Sequence, residues 1–336
     1  MRILVTGASG FVGSLLIPRL GAAGHAVRAM GRDEARIRRA LAPRPREAGS
    51  DGAASAAVEV VRADAVSGAG LDRALDGVQV AYYLIHSMEA AASEPASSFA
   101  LRERIAAENF AAASAAAGVR RIVYLGGLVP RWSPRATRTI APLRRGAPTS
   151  LHLTSREEVE RVLLAAVEDS LALRASIVIG ARSRSFRLLV RLVERMPVLA
   201  LPSWQRFRTA PIDARDVIAM LTSAATAPLG RRTLELGGPD VLSYGEMISR
   251  IAELMLVGRP TLSLGVSLTP VAARLAAAIA GEEPELVVPL MEGLQGDLLP
   301  ANDHAAELLG VRLHSFDAAV ERALAEWERD ECLAAR

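Results

Sequence analysis

Thr6-Gly7-Ala8-Ser9-Gly10-Phe11-Val12-Gly13 sets three glycines at GxxGxxG spacing. They follow a short apolar run, Arg2 to Thr6, and open a helical pattern, Phe11 to Ala23. A strand, a glycine turn and a helix in that order suit a diphosphate. Gly7 permits the tight turn, Gly10 lets backbone approach the phosphates, and Gly13 lets helix pack on strand. The helix N-terminus then presents unpaired N–H groups and its positive dipole end to the anion. The chemistry is dinucleotide binding, with Ser9, Phe11 and Val12 as further contact residues in the turn. The competing reading is a glycine-rich turn with no ligand.

The ends of the next strands bear on which dinucleotide. After a second strand, His25 to Met30, comes Gly31-Arg32-Asp33. A binder of NAD usually carries Asp or Glu here, on the ribose hydroxyls. Arg32 comes first and can make charge-assisted bonds to a 2′-phosphate, so the expected cofactor is NADP(H) rather than NAD(H). Arg28, on the same strand, is a candidate helper. Against this, Arg32 reads also as a solvated charge and Asp33 as the cap of the next helix. The third strand, Val58 to Arg62, runs into Ala63-Asp64-Ala65. Asp64, with Ala65 beside it, can face the adenine amino group, or serve as a turn aspartate. The fourth strand, Gln79 to Ile85, brings Leu84 and His86 to the carboxyl edge, where ligands lie in such sheets. His86 reads equally as a structural histidine.

Composition removes several chemistries. All 40 basic residues of the 336 are Arg. Without lysine there is no Schiff base, no P-loop lysine and no lysine proton relay. The one cysteine, Cys332, makes no internal disulfide, which fits a reducing, cytoplasmic setting. The net charge of +3 does not by itself indicate nucleic acid. Two Arg-rich stretches stand out: Arg131, Arg135, Arg138, Arg144 and Arg145 with Trp132, and Arg182, Arg184, Arg187, Arg191, Arg195, Arg206 and Arg208. They lack the aromatic interleaving and motifs of nucleic-acid binders, so solvated arginine is their default reading. His25, His304 and His314 show no pairing, no two histidines have metal-ligand spacing, and no metal site is expected. No GxSxG elbow occurs. The start shows no signal peptide. Leu262 to Gly281 is broken by Pro270 and Arg274, too short for a spanning helix, which leaves room only for a peripheral membrane contact.

Further strands are read at Arg121 to Leu125 and Ala172 to Ile179, with helices at Asp33 to Leu41, Ser97 to Ala117 and Ser155 to Val167. Alternation of this kind predicts an α/β chain: a Rossmann, doubly wound parallel sheet with a smaller, mainly helical C-terminal substrate region. The division is 1–180 for the dinucleotide-binding part and 181–336 for the substrate or lid region, with about 207–240 returning to the sheet. Ala42 to Ala57 and Val129 to Ser150 read as loops. Late helices are expected at Thr269 to Ala280, Glu285 to Leu294 and Phe316 to Glu328.

The glycine loop, Arg62-Ala63-Asp64, the Leu173–Gly180 string (LRASIVIG), Pro211-Ile212-Asp213-Ala214-Arg215-Asp216-Val217 and Leu236-Gly237-Gly238-Pro239 resemble the atypical, extended-type short-chain dehydrogenase/reductases. Tyr82-Tyr83-Leu84-Ile85-His86-Ser87-Met88 and Tyr124-Leu125-Gly126-Gly127-Leu128 are similar to an NAD(P)H-binding subgroup. That subgroup is related to NmrA-like proteins and to the nucleotide-binding accessory subunit of respiratory complex I. The resemblance runs over nearly the whole chain, more loosely after about Leu256.

In that family a Tyr-x-x-x-Lys pair does the proton chemistry while the cofactor gives hydride. No tyrosine here has a lysine four residues on. The resemblance places His152-Leu153-Thr154-Ser155-Arg156-Glu157-Glu158-Val159-Glu160 on the family's Tyr-x-x-Ser-Lys-x-x-x-Glu string. His152 then stands for tyrosine and Arg156 for lysine. Gly126 and Gly127 occupy the stretch that carries the family's catalytic serine. Thr154 with Glu157, or Ser155 with Glu158, reads as a capping box. His152 suits a general acid near neutral pH. Arg156 could hold the ribose and polarise an oxygen but not relay a proton. The bland alternatives are that His152 flanks the cap and Arg156 is an exposed charge. Two functions follow: hydride transfer to a quinone, an enone or a carbonyl compound, or non-catalytic NADP(H) binding as a redox sensor or accessory subunit. The partner is accordingly a small-molecule substrate or a redox partner protein.

Overall fold

The computed structural model describes residues 1–42, 58–85, 96–129, 151–263, 296–301, 304–331 and 333, with the backbone only at 96–97 and 151–153. The expected loops at Ala42 to Ala57 and Val129 to Ser150 fall almost wholly outside the described residues. So do His86, Cys332, Arg131, Trp132, Arg135, Arg138, Arg144, Arg145 and the expected helices at Thr269 to Ala280 and Glu285 to Leu294.

The first half alternates as the apolar pattern predicts. In chain order it runs β1 (Arg2–Val5), α1 (Phe11–Ala22), β2 (Ala26–Gly31), α2 (Glu34–Leu41), β3 (Glu59–Arg62), α3 (Leu71–Leu75), β4 (Val80–Tyr83), α4 (Ala96–Ala116), β5 (Arg121–Gly127), α5 (Leu151–Ala166) and β6 (Leu171–Ala175). The second half continues with β7 (Val178–Ile179), α6 (Arg184–Arg195), β8 (Leu199–Leu201), β9 (Arg208–Thr209), β10 (Ile212–Asp213), α7 (Ala214–Ala224), β11 (Arg232–Leu236), β12 (Leu242–Ser243), α8 (Tyr244–Leu254) and β13 (Thr261–Ser263). Two further helices follow, α9 (His304–Leu308) and α10 (Phe316–Glu328).

Seven strands form one parallel sheet in the order β11-β6-β5-β4-β1-β2-β3. From β1 the chain winds outward through β2 and β3, then returns to wind the other way through β4. Ile3 therefore lies between Val27 and Val80. That reversal opens a crevice at the carboxyl edge of β1 and β4, the place where doubly wound sheets take ligands.

Strand alternation sends side chains to two cores. Ile3, Val5, Val80, Tyr82, Val123 and Leu125 meet Leu16, Ile17 and Leu20 of α1 and Val217, Met220 and Leu221 of α7. Leu4, Ala81, Tyr83, Ile122 and Tyr124 meet Leu75 of α3, Phe110 of α4 and Val159 and Leu163 of α5. A third core belongs to the second half alone. Phe186, Val190 and Val193 of α6, Met247 and Ile251 of α8, and Phe316, Leu324 and Trp327 of α10 close around Trp204 and Tyr244.

Three local readings change. The strand expected over Ala172 to Ile179 breaks at Ser176 and Ile177. Ser176 N–H donates to Leu236 O, its hydroxyl meets Thr209 Oγ1 at 3.0 Å, and β7 leaves the sheet to pair with β10. The helix expected from Ser155 already includes Leu151, so Thr154 and Ser155 are interior residues and neither capping box forms. His314 is not unpaired: its Nδ1 lies 2.6 Å from Asp216 Oδ1 and its N–H donates to Asp216 Oδ2. That partner is 98 residues away, out of reach of any local pattern. Among the described residues no helix is long and apolar enough to cross a membrane.

Candidate functional site

The glycine loop ends β1 and starts α1. Gly7 has φ +61°, and a Cβ there would come 2.6 Å from Leu84 O. A Cβ at Gly13 would come 2.4 Å from Gly7 O. Both distances are well inside van der Waals contact, so the turn and the helix approach exclude any side chain. Gly10 N–H donates to Gly7 O, closing the turn. Ser14 N–H is the first to bond a helical carbonyl, that of Gly10. The N–H groups of Phe11, Val12 and Gly13 thus precede the first helical bond and point out of the helix end. No side chain caps this end and no acid sits in its first turn. A pyrophosphate fits such a cradle: shallow backbone, open N–H groups and the positive dipole end. Thr6 Oγ1 accepts from Leu84 N–H at 3.0 Å, which pins the end of β4, and with it Leu84, beside the loop.

An adenosine attached to a pyrophosphate in this cradle would extend toward β2 and β3. Arg32 is exposed at the end of β2, with no hydrogen bond or ion pair among the described residues. Asp33 is the N-cap of α2, its Oδ1 accepting from Arg36 N–H at 3.0 Å. Arg28 does not join Arg32. Its Nη1 donates to the carbonyls of Arg73, Ala74 and Asp76 at the end of α3, and its Nε pairs with Glu59. It is a helix C-cap, which corrects the expectation of a second cation from this strand. Asp64 Oδ1 accepts from Val66 N–H at 2.9 Å, the turn geometry of the more modest reading. Ala65 is buried, and its carbonyl accepts from Asn109 Nδ2 of α4 at 3.0 Å, as does that of Val66 at 2.9 Å. Asn109 therefore fixes the loop that would face adenine. Sequence reasoning missed it; the signal was a lone amide in an alanine-rich helix.

The third part of the crevice is the edge formed by β5 and α5. A Cβ at Gly127 would lie 2.9 Å from Arg156 Nη1, so the guanidinium occupies the volume a side chain on β5 would take. A Cβ at Gly126 would lie 2.9 Å from Tyr124 Cε1. The loss of a side chain on β5 and the presence of a bulky arginine on α5 are two halves of one packing arrangement. One turn further along α5, Glu160 is buried. Its Oε2 takes Arg174 Nε at 2.6 Å, while its Oε1 takes Arg174 Nη2 at 3.0 Å and Thr233 Oγ1 at 2.7 Å. This bidentate pair clamps α5 to β6 and β11 and sets the height of Arg156 above the sheet edge. His152 is one helical turn before Arg156, on the same side of α5 by its i−4 spacing; its side chain is outside the described residues.

No tyrosine replaces the missing acid. Burial pushes the hydroxyls of Tyr82, Tyr83 and Tyr124 above the usual phenol range; at Tyr124 the nearby Arg156 acts in the opposite sense. Tyr82 donates to Leu221 O at 2.6 Å, on the α7 side of the sheet, and Tyr83 packs edge-on to Phe110. The arginines after Gly180 are largely structural. Arg187 and Arg191 lie over the Trp327 ring and pair with Glu331, and Arg208 pairs with Asp297 at 3.0 Å. Arg182 reaches the cradle, donating to Ser14 Oγ at 3.1 Å. Among the described residues no group of three metal-type ligands occurs.

Residues 1–131 match the NmrA-like family. This stretch of the chain is similar to that family. It holds the glycine cradle, Arg32, Asn109 and the glycine pair on β5, while α5 and all that follows lie beyond the match. No curated protein matches the chain. Solved structures match its whole length at low identity. The crystal structure of gox2253 is 20% identical over 98% of both chains, with a TM-score of 0.71. MoeE5 in complex with UDP-glucuronic acid and NAD is 19% identical over 98% of this chain and 99% of that one, with a TM-score of 0.69. UDP-glucuronic acid 4-epimerase from Bacillus cereus, in complex with UDP-glucuronic acid and NAD, is 16% identical over 98% and 100%, with a TM-score of 0.67. At these identities the likeness is one of fold, and it extends past residue 131 through the C-terminal region.

Proposed function

We propose that the chain is an NADP(H)-dependent oxidoreductase of the atypical short-chain dehydrogenase/reductase type, acting in the cytoplasm on a quinone, an enone or a carbonyl compound. The observation that supports the proposal is the position of Arg156: its guanidinium lies against Gly127 at the carboxyl end of β5, on the same edge of the sheet as the glycine cradle. NADPH, when bound, supplies the hydride. The cradle holds the pyrophosphate through backbone N–H groups. Arg156, permanently cationic, holds ribose hydroxyls and polarises an acceptor oxygen. His152, one turn earlier on α5, donates the proton, a role to which imidazole is suited near neutral pH. Tyr82, Tyr83 and Tyr124 are buried in the two cores and take no part. The choice of NADP(H) rests on Arg32, exposed at the end of β2 where the 2′-position of the adenosine ribose falls in this fold. MoeE5 and the Bacillus cereus epimerase are solved with NAD, which supports a nicotinamide dinucleotide in general.

One observation favours a second reading. Both β5 positions where a catalytic hydroxyl would stand are glycine, and the tyrosines of β4 and β5 are buried, which leaves the proton to His152. A protein that binds NADP(H) to report redox state to a partner protein needs no acid at all. The two readings separate in one experiment. NADPH oxidation is followed against quinones, enones and aldehydes for the wild type, His152→Ala and Arg156→Ala. Turnover that falls at least tenfold in both variants supports the reductase. Tight NADPH binding without turnover on any acceptor overturns it in favour of the sensor.

A further inference from the structure

We propose that Arg62 is a second specificity arm for the cofactor, forming with Arg32 a two-guanidinium fork around the 2′-phosphate of NADP(H). The inference rests on the NADP(H) reading above and adds to it a residue from a different strand.

Arg32, Asp33, Glu34, Ala35 and Arg62 line one open recess of about 530 Å³ at the rim of the sheet. The pairing of β2 with β3 brings the two arginines together. Gly31 stands opposite Arg62 in the parallel register, and Ala63 N–H donates to Gly31 O at 3.1 Å. Both arginines are exposed. Two carboxylates share the recess, yet each is engaged elsewhere. Asp33 caps α2 through Arg36 N–H, and Glu34 pairs with Arg38 at 2.9 Å, one turn along the same helix. Neither Arg32 nor Arg62 has a carboxylate partner among the described residues. With no direct ion pair, both guanidiniums keep N–H donors for an anion seated between them. The base of the Arg62 arm is held. Its carbonyl accepts from Arg73 Nη2, and the turn that follows is fixed by Asp64 and Asn109.

The chemistry of the recess selects a phosphate monoester. Such a group carries close to two negative charges at neutral pH and three acceptor oxygens, enough for two planar guanidinium forks at once. A ribose hydroxyl, as in NAD(H), offers one neutral oxygen and has no use for the second arm. Arg32 comes from the strand end that commonly meets the ribose; Arg62 was passed over in the sequence because it sits inside a strand pattern, two residues before the turn aspartate.

The test is the dissociation constant of the full chain for NADPH and for NADH, in the wild type, Arg62→Ala, Arg62→Lys and Arg32→Ala, with 2′,5′-ADP as a competitor. Arg62→Ala should weaken NADPH about tenfold and leave NADH within twofold, Arg62→Lys should recover part of the loss, and 2′,5′-ADP should compete less well against Arg62→Ala than against the wild type. Equal weakening of both cofactors, as expected of an arginine that merely stacks on adenine, overturns the proposal. So does a preference for NADPH that survives unchanged in Arg62→Ala; in that case the NADP(H) reading stands without this arm. A wild type that binds NADH as tightly as NADPH overturns both, and is seen before any variant is made.

Discussion

The two ends of the crevice are built on opposite principles. The phosphate cradle at β1 and α1 is made of backbone, and its fit depends on side chains that are absent: a single added carbon at Gly7 or Gly13 would meet a carbonyl oxygen at 2.6 or 2.4 Å. The edge at β5 and α5 is made of side chains. There an arginine fills the volume vacated on β5, and a buried ion pair one turn away holds it. A backbone site tolerates almost no substitution but serves any dinucleotide. A side-chain site can be rebuilt residue by residue while the fold stays, which is how one Rossmann scaffold comes to host different reactions.

This contrast can be broken at several points. The largest effect is expected in the cradle. Gly13→Val forces Cβ into Gly7 O and should cost about 3 kcal/mol or more of stability, with loss of detectable NADPH binding; a melting temperature and binding both near wild type would show that the helix can retreat from the loop. Next, Glu160→Ala leaves the Arg174 guanidinium without its bidentate partner in a largely buried setting. It should destabilise by about 3 kcal/mol and lower turnover beyond what stability explains, since α5 carries Arg156. Denaturant unfolding and kcat measured below the transition would check it; unchanged kcat in the folded fraction would make the pair purely structural. Gly127→Ala is a milder probe of the same edge. It pushes a methyl group to 2.9 Å from Arg156 Nη1, the end of a flexible side chain, so stability should change by less than about 1.5 kcal/mol. Turnover should nevertheless fall several-fold, because the guanidinium must move. The smallest effect is expected from Asn109→Ala, which removes two hydrogen bonds to the loop after β3 and should cost about 1 kcal/mol with a modest, equal loss for NADPH and NADH. A loss confined to one cofactor would give Asn109 a part in specificity that its geometry does not indicate.

Much of the first half was legible along the chain. The apolar runs at β1 to β5 and the glycine loop between β1 and α1 read directly, because short strands buried on both faces leave continuous apolar stretches and the turn demands glycine. Phe316 to Glu328 read correctly as a helix, since α10 is amphipathic against the third core. Other features were illegible for physical reasons. Arg28 looked like Arg32 in sequence, yet it lies inside β2, back from the carboxyl edge, and its guanidinium is taken up by the end of α3. Ser176 sat inside a strand pattern with no turn residue beside it, and only its bonds to Leu236 and Thr209 show why the strand ends there. The start of α5 was placed too late because Thr154 and Ser155 resemble caps; local composition gives the same signal whether or not the chain has already entered the helix. The pairing of His314 with Asp216 spans 98 residues and has no local trace.

The sequence by itself determined that a dinucleotide cradle begins at the first strand, that no Tyr–Lys pair exists, and that any cation in the crevice is arginine. These are properties of residue type and short spacing. The tertiary structure alone decided which arginines share a recess, that Arg156 takes the volume left open at Gly127, and that Asn109 and Glu160 hold the two loops and helices in place. Each of these depends on which strands lie side by side, and parallel pairing brings together residues whose separation along the chain carries no signal of it.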